Sequence, residues 1–393
     1  MPTETQPHYS YLDHKARREI NELYLTFIIQ QFARSMFSLF EPIYFISLGL
    51  SILQVIMFYG FVAFFYFLLL PFGAKMSAHF GFEHNIFYSI PILIGYFIVL
   101  YMLQFYLWLL PLAMFLLVFF RTIFWPAYHG DLAFYGSQDQ RGKEIGKLKS
   151  LVLTVTIAAP FLGGLILKIS NFSTLFVIVA ILLFISIIPI FTTKEKFTPS
   201  KFSYTKAYKR LFKKENRRRV LGYMGVAEDF MTCILWPVFI YLVVQDTFAL
   251  GSIVAFSTLI TVLIMLAVGK QADKKKNILK TGSIVYFVVL IVKVFIRSAP
   301  QAFFIDVFSR TARNSIGIPV MASAYGHASR HGVMKGVNLF QLSLNLGRIL
   351  AAIICFIIVY YTDNLAYVFI PAAFYSLLYL FLNEKEEYVS ETK

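Results

Sequence analysis

The chain of 393 residues is 58% hydrophobic and 15% charged, with a formal net charge of +15. Soluble globular chains are about half apolar and about a quarter charged, so one soluble core is excluded as the organising feature. The unit to count is the membrane span, about 20 mostly apolar residues each.

The first 22 residues are polar and carry no cleavable-leader pattern. Twelve apolar stretches follow, at 24–47, 52–72, 85–103, 105–128, 148–168, 172–192, 220–244, 249–268, 281–298, 300–323, 336–360 and 365–382. The expected fold is an all-α membrane protein with twelve transmembrane helices. The third and fourth stretches are separated by the least polarity. Cys233 and Cys355 both fall inside spans and read as small packing residues. One long polar break, TKEKFTPSKFSYTKAYKRLFKKENRRR at 193–219, contains eleven Lys or Arg. It divides the chain into a first six-helix bundle (1–192), a basic linker (193–219) and a second bundle (220–393). The linker reads as solvated chain, with a helix lying on anionic headgroups as the alternative.

The basic residues are one-sided. Of the 36 Lys and Arg, 28 lie in the two tails and in the loops after even-numbered spans. Lys168 and Arg297 are on the other side, and Arg34, Arg121, Lys293, Arg310, Arg313 and Arg348 lie within spans. Positive loops face the cytoplasm, so both termini are expected there, in a multi-pass plasma-membrane protein. The basic charge is thereby explained without nucleic acid. No G-x-x-x-x-G-K-[ST], no G-x-S-x-G and no spaced Cys/His set occurs, so neither a nucleotide motor, an enzyme of that hydrolase type, a metal site nor a cofactor is implied.

The two halves echo each other. RTIFWPAYHGDLAFYG (121–136) parallels RTARNSIGIPVMASAYG (310–326), and FEPIYFISL (40–48) parallels LWPVFIYLV (235–243), with Pro42 against Pro237. Gly73 parallels Gly269. A duplicated six-span unit follows, and transporters of that build place their site at the repeat interface.

These features resemble the major facilitator superfamily of secondary transporters over nearly the whole chain. Its loop motif after span two is represented by Gly73 and Gly81, but Ala78 and His79 stand where Asp and a base belong. The copy after span eight keeps Gly269, Asp273 and Lys274. Leu117 and Arg121 are similar to the family's span-four arginine setting. Pro160, Gly163 and Gly164 resemble the span-five signature of its drug/proton antiporter branch. The resemblance implies a monomer in the lipid bilayer that moves a small solute, with protons, by alternating access, leaning to efflux. It also implies that spans one, four, seven and ten line a central cavity.

Eight of ten interior ionisable residues fall on those four spans: Arg34, Glu41, Arg121, Glu228, Asp229, Asp306, Arg310 and Arg313. Lys293 and Arg348 are the other two. A carboxylate at mid-bilayer costs roughly 2.5–3.5 kcal/mol, so adjacent Glu228 and Asp229 need a purpose. Asp229 is expected to pair with Arg34, Arg313 or Arg348, either as a proton carrier or as a structural ion pair. Arg121, Trp125 and Tyr128 share a helix face suited to a cation beside aromatic rings. Asn338, Gln341, Asn345 and Arg348 form a polar stripe, read first as interhelical hydrogen bonds. His129 and Asp131 are expected to cap and solvate the end of span four, and Lys293 to snorkel. Six interior cations against four anions tilt toward an anionic or zwitterionic solute, whereas the span-five likeness tilts toward amphipathic drug-like ones. A non-transporting scaffold or sensor on the same fold is the alternative function.

Overall fold

The computed structural model describes residues 25–135, 141–188, 202–272 and 278–382. Among these residues there are helices and no strand. Helix α1 (25–38) breaks at residues 39–40 and restarts as α2 (Glu41–Ser47), with Pro42 in its first turn. Proline has no N–H to give the preceding turn, so the chain resets there. Helix α3 (Ile52–Phe80) opens on a capping box. Ser51 Oγ accepts from the Gln54 N–H at 3.3 Å, and Gln54 Oε1 accepts from the Ser51 N–H at 2.7 Å. It ends at Gly81, whose φ of +99° suits glycine alone among the common residues. Helices α4 (Phe82–Leu103), α5 (Leu110–Tyr135), α6 (Arg141–Ile169) and α7 (Phe172–Ile185) complete the first half.

After α8 (Tyr204–Leu211) and α9 (Arg217–Met224), the chain passes through a 3₁₀ turn (Gly225–Glu228) and a π turn (Phe230–Leu235) into α10 (Trp236–Val244). Helices α11 (Thr247–Ala272), α12 (Ile278–Lys293), α13 (Ala299–His331), α14 (Val333–Thr362) and α15 (Phe369–Leu377) follow. A helical segment lies over each of the twelve apolar stretches. Six segments among the described residues are long and apolar enough to cross a membrane: Ile52–Phe80, Phe82–Leu103, Leu107–Ala133, Lys214–Val244, Thr247–Leu266 and Val333–Thr362. Val155–Ile169, Phe172–Ile185 and Leu365–Phe381 are shorter apolar helices. Helix α13 is 33 residues long, but Asp306, Arg310 and Arg313 interrupt its apolar character.

Within the first half α4 packs on α5 and α7, and α3 on α5; within the second, α12 packs on α13 and α15. The halves meet where α3 crosses α14 and α6 crosses α11. Lipid supplies no hydrophobic drive between helices, so close backbone approach must hold these crossings. Gly251 of α11 shows how close: a Cβ there would sit 2.5 Å from the Pro160 carbonyl oxygen of α6. The outer surface keeps large apolar side chains exposed, including Phe105, Trp108, Phe295 and Tyr361. Aromatic residues of this kind sit well at a membrane–water boundary.

The linker holds a packed helix. Tyr208 donates to the Phe67 carbonyl at 3.0 Å, and Tyr204 donates to the Leu68 carbonyl at 2.6 Å. Pro71 explains the first bond, because it has no N–H to offer Phe67 four residues back. Ala207 and Leu211 are buried in a cluster with Tyr66 and Leu70 of α3 and Leu339 and Leu342 of α14. The expectation of a wholly solvated linker is therefore corrected for these residues.

Candidate functional site

Glu228 and Asp229 sit where the α-helical ladder fails. Pro237 lacks the N–H that would close the turn at Cys233, and the chain widens into the π turn of Phe230–Leu235. The two adjacent carboxylates leave in different directions. Glu228 is fully buried and accepts from Arg313 Nε of α13 at 2.8 Å, Tyr286 Oη of α12 at 2.8 Å and Thr232 Oγ1 at 2.6 Å. Asp229 takes a two-pronged contact from Arg348 of α14, with Nε donating to Oδ1 at 2.9 Å and Nη2 donating to Oδ2. Forked arginine–carboxylate contacts are among the stronger polar interactions. Each acid thus has its own arginine, on its own partner helix. Of the three arginines expected to compete for Asp229, Arg348 takes it, and Arg313 goes to Glu228.

Asp306 is equally well held. It accepts from Trp236 Nε1 at 2.9 Å, Ser257 Oγ at 2.5 Å and Arg310 Nε at 2.6 Å, one helical turn away. Lys293 corrects an expectation. It is 1% exposed and does not snorkel; its Nζ lies 4.1 Å from the centre of the Trp236 ring and 5.8 Å from that of Phe369. Ring quadrupoles and the nearby Asp306 charge substitute for water there.

The first half is arranged differently. Glu41 is buried and accepts from the Tyr96 hydroxyl. Arg121 lies within electrostatic reach of Glu41, Tyr59, Tyr96 and Arg348, but forms no ion pair or hydrogen bond among the described residues. Arg34 does not reach Asp229. Its guanidinium lies 4.3 Å from the centre of the Phe124 ring, with Phe120 and Trp125 within 5.9 Å, and Nη2 donates to Gln31 at 2.9 Å. The cation beside the α5 aromatic face is therefore Arg34 of α1.

The span-eleven stripe divides. Gln341 accepts from Tyr66 of α3 at 3.1 Å, a bond between the halves, and Asn345 donates back to the Gln341 carbonyl at 2.8 Å. His129 and Asp131 are buried, contrary to the solvated cap expected of them. His129 Nδ1 lies 2.8 Å from the Tyr325 hydroxyl of α13, and its ring stacks on Trp125. The reason is that α5 runs on to Tyr135, so these residues are not at its end.

Three motif glycines, Gly73, Gly163 and Gly164, lie at close helix contacts. Gly73 lies inside α3 and not in a loop, which corrects its expected place; a Cβ there would meet the Thr122 carbonyl oxygen at 1.7 Å. Only Gly81 breaks the chain. Gly269 lies within α11, and Asp273 and Lys274 fall outside the described residues. Pro160, Gly163 and Gly164 lie on α6, where a Cβ on Gly163 would meet the Met36 carbonyl oxygen at 2.2 Å and one on Gly164 that of Thr247 at 2.9 Å. A cavity of about 420 Å³ lies elsewhere, lined by Gly49, Gln54, Phe58 and Pro111 among others, and no ionisable residue faces it. No cluster of three metal-ligating side chains occurs among the described residues.

The sequence profile described as Major Facilitator Superfamily matches residues 23–352. The chain belongs to the major facilitator superfamily. Two solved structures are similar in fold: the E. coli fucose:proton symporter FucP in a variant form, at TM-score 0.64, and FucP in the outward conformation, at TM-score 0.66. Each is 12% identical, and the match covers 93% of this chain and 98% of the other. At that identity the likeness shows the fold alone. No curated protein matches the chain. Superfamily and fold make this a membrane-embedded transporter and not an enzyme, and they support secondary transport as its class of activity.

Some partners in this superfamily member were not legible in its sequence. Tyr96, Tyr286, Thr232 and Ser257 satisfy the interior acids, yet hydroxyl residues are scattered through every apolar stretch. Tyr325 had one signal, its place in the internal repeat.

Proposed function

We propose that the chain is a proton-coupled secondary transporter of a small solute, with twelve spans in two six-helix units (1–192 and 220–393) that rock about a central site. The site comprises Arg34, Glu41, Arg121, Glu228, Asp229, Asp306, Arg310, Arg313 and Arg348. The observation that carries this reading is the Asp229–Arg348 pair. Its acid is 13% and its arginine 20% exposed, and α14, which carries Arg348, meets the first half through α3. A charged pair facing lipid is costly, so its exposure supports a water-filled centre. Exchange of the Arg348 contact for a proton on Asp229 is the coupling step of this reading. Glu228 and Asp306, each held by three donors, are structural. The basic loops support cytoplasmic termini in the plasma membrane. Efflux rests on the span-five likeness alone, and a monomer on the superfamily resemblance.

A thermal-shift screen of the purified protein against metabolites and antibiotics, at pH 5.5 and pH 8, tests the reading. A solute that binds the folded state raises its melting temperature by mass action. A shift that depends on pH and is lost in Asp229→Asn is expected. A pH-indifferent hit makes Asp229 structural, and no hit from a well-folded sample favours a non-transporting scaffold or sensor.

A further inference from the structure

The interior arginines are matched to carboxylates in one half of the chain and not in the other, while Lys293 of the second half rests on aromatic rings. In the second half Arg310, Arg313 and Arg348 each touch a carboxylate. In the first half Arg34 and Arg121 touch none among the described residues, and Glu41, the acid within electrostatic reach of Arg121, is engaged by Tyr96. Arg121 is half-buried and keeps all five of its N–H donors unspent among the described residues. Arg34 Nε is buried with no hydrogen-bond partner. An uncompensated guanidinium inside a membrane protein is costly, and a matching anion removes that cost. Arg121 also lies within electrostatic reach of Arg348 and Tyr66, where α5, α3 and α14 converge between the halves. Two cations within electrostatic reach of each other at that convergence favour an anion.

We propose that the transported solute is a small organic anion whose carboxylate-sized head group docks on the Arg121 guanidinium beside Arg348, with Arg34 and the rings it stacks on forming the neighbouring wall. This deepens the transporter reading and rests on it. A guanidinium presents paired donors that fit a carboxylate edge to edge, and the aromatic face of α5 suits an apolar body. The incoming anion also competes with Asp229 for Arg348. Binding then releases the Asp229 carboxylate to take a proton, so solute and proton move in the same direction, a symport that replaces the efflux leaning of the span-five likeness.

Cys233 supplies a built-in reporter. It is exposed, 2.8 Å from Arg313 Nη1 and within electrostatic reach of Arg348, while Cys355 is fully buried. The unmodified full-length protein in proteoliposomes is treated with two methanethiosulfonates of similar size, the anionic ethylsulfonate and the cationic ethyltrimethylammonium. Labelling of Cys233 is followed by mass spectrometry, against a small free thiol as reference. The expected result is an anionic preference of about tenfold over the free thiol, the lower end of electrostatic focusing in a cleft. The preference is expected to fall toward the free-thiol value in Arg121→Gln and to persist in Arg121→Lys. Labelling of Cys233 without charge preference overturns the anion site and leaves the aqueous cavity standing, as does a preference that survives in both Arg121→Gln and Arg34→Gln. Labelling only by membrane-soluble N-ethylmaleimide places Cys233 against lipid, and then the cavity and the anion site fail together.

Discussion

At the scale of residues, the interior distinguishes charges that are finished from charges that are available. Asp306 has three donors, so its Trp236, Ser257 and Arg310 contacts are a closed unit. Lys293 has aromatic rings but no carboxylate within ion-pair distance among the described residues. Replacing a buried unpaired cation by an apolar chain of similar shape is often neutral or stabilising, whereas removing one partner of a buried pair costs about 3–5 kcal/mol. Lys293→Met is therefore expected to keep or raise the melting temperature in detergent, and Asp306→Ala to lower it by several degrees. The reverse order would show that Lys293, and not Arg310, is the principal partner of Asp306. The choice of partners could not be read from the chain. Helical-wheel arithmetic at 100° per residue fails across the π turn at Phe230–Leu235, so the directions of Glu228 and Asp229 depend on a local distortion. Which arginine each acid meets depends in turn on how closely α13 and α14 approach.

At the scale of helices, small residues set that approach. Gly251 faces the Pro160 carbonyl of α6, while Gly95 of α4 has no atom within 4 Å of where a Cβ would stand. Gly251→Ala forces the α6–α11 crossing apart and is expected to cost about 1–3 kcal/mol, as overpacking does. Gly95→Ala gains helix propensity, about 0.5–1 kcal/mol, with no clash. Paired melting curves check both, and equal effects would mean that the crossing is looser than described. The linker helix gives a second expectation. Tyr204→Phe with Tyr208→Phe leaves the Phe67 and Leu68 carbonyls of α3 without these donors, at about 1–3 kcal/mol for each acceptor that water does not reach. Proteolysis between α8 and α9 should then accelerate. The sequence made the helices themselves legible, because runs of about 20 apolar residues have few other uses. It misplaced their ends wherever polar residues continued a helix. Gly73 read as a loop because a motif was counted from it, yet nothing breaks α3 before Gly81. His129 and Asp131 read as solvated because the apolar run stops at Tyr128, while α5 continues to Tyr135.

At the scale of the whole molecule, contacts between the halves decide what can move. Tyr66–Gln341 and His129–Tyr325 join α3 and α5 of the first half to α14 and α13 of the second. In the proposed rocking of the halves such bonds break at one end, with the α6–α11 crossing as the pivot. His129→Phe removes one of them and keeps the aromatic stacking. It is expected to raise the labelling of residues on that end of α13, read by cysteine scanning from Gly326 to Arg330, and no change would remove this contact from the gate. The superfamily was legible in the spans, the repeat and the charges, because all three survive in order along the chain. The substrate was not, since it depends on which charges remain unpaired after folding.

The proposed coupling of a proton gradient to solute movement rests on Asp229. The direct measurement is uphill flux in proteoliposomes under an imposed pH gradient, with a radiolabelled solute drawn from the thermal-shift screen. Accumulation that collapses when a protonophore is added is expected of the wild-type protein. In Asp229→Asn, with the fold intact, solute exchange persists and accumulation is lost. Accumulation at the wild-type level in Asp229→Asn would rule Asp229 out as the proton carrier.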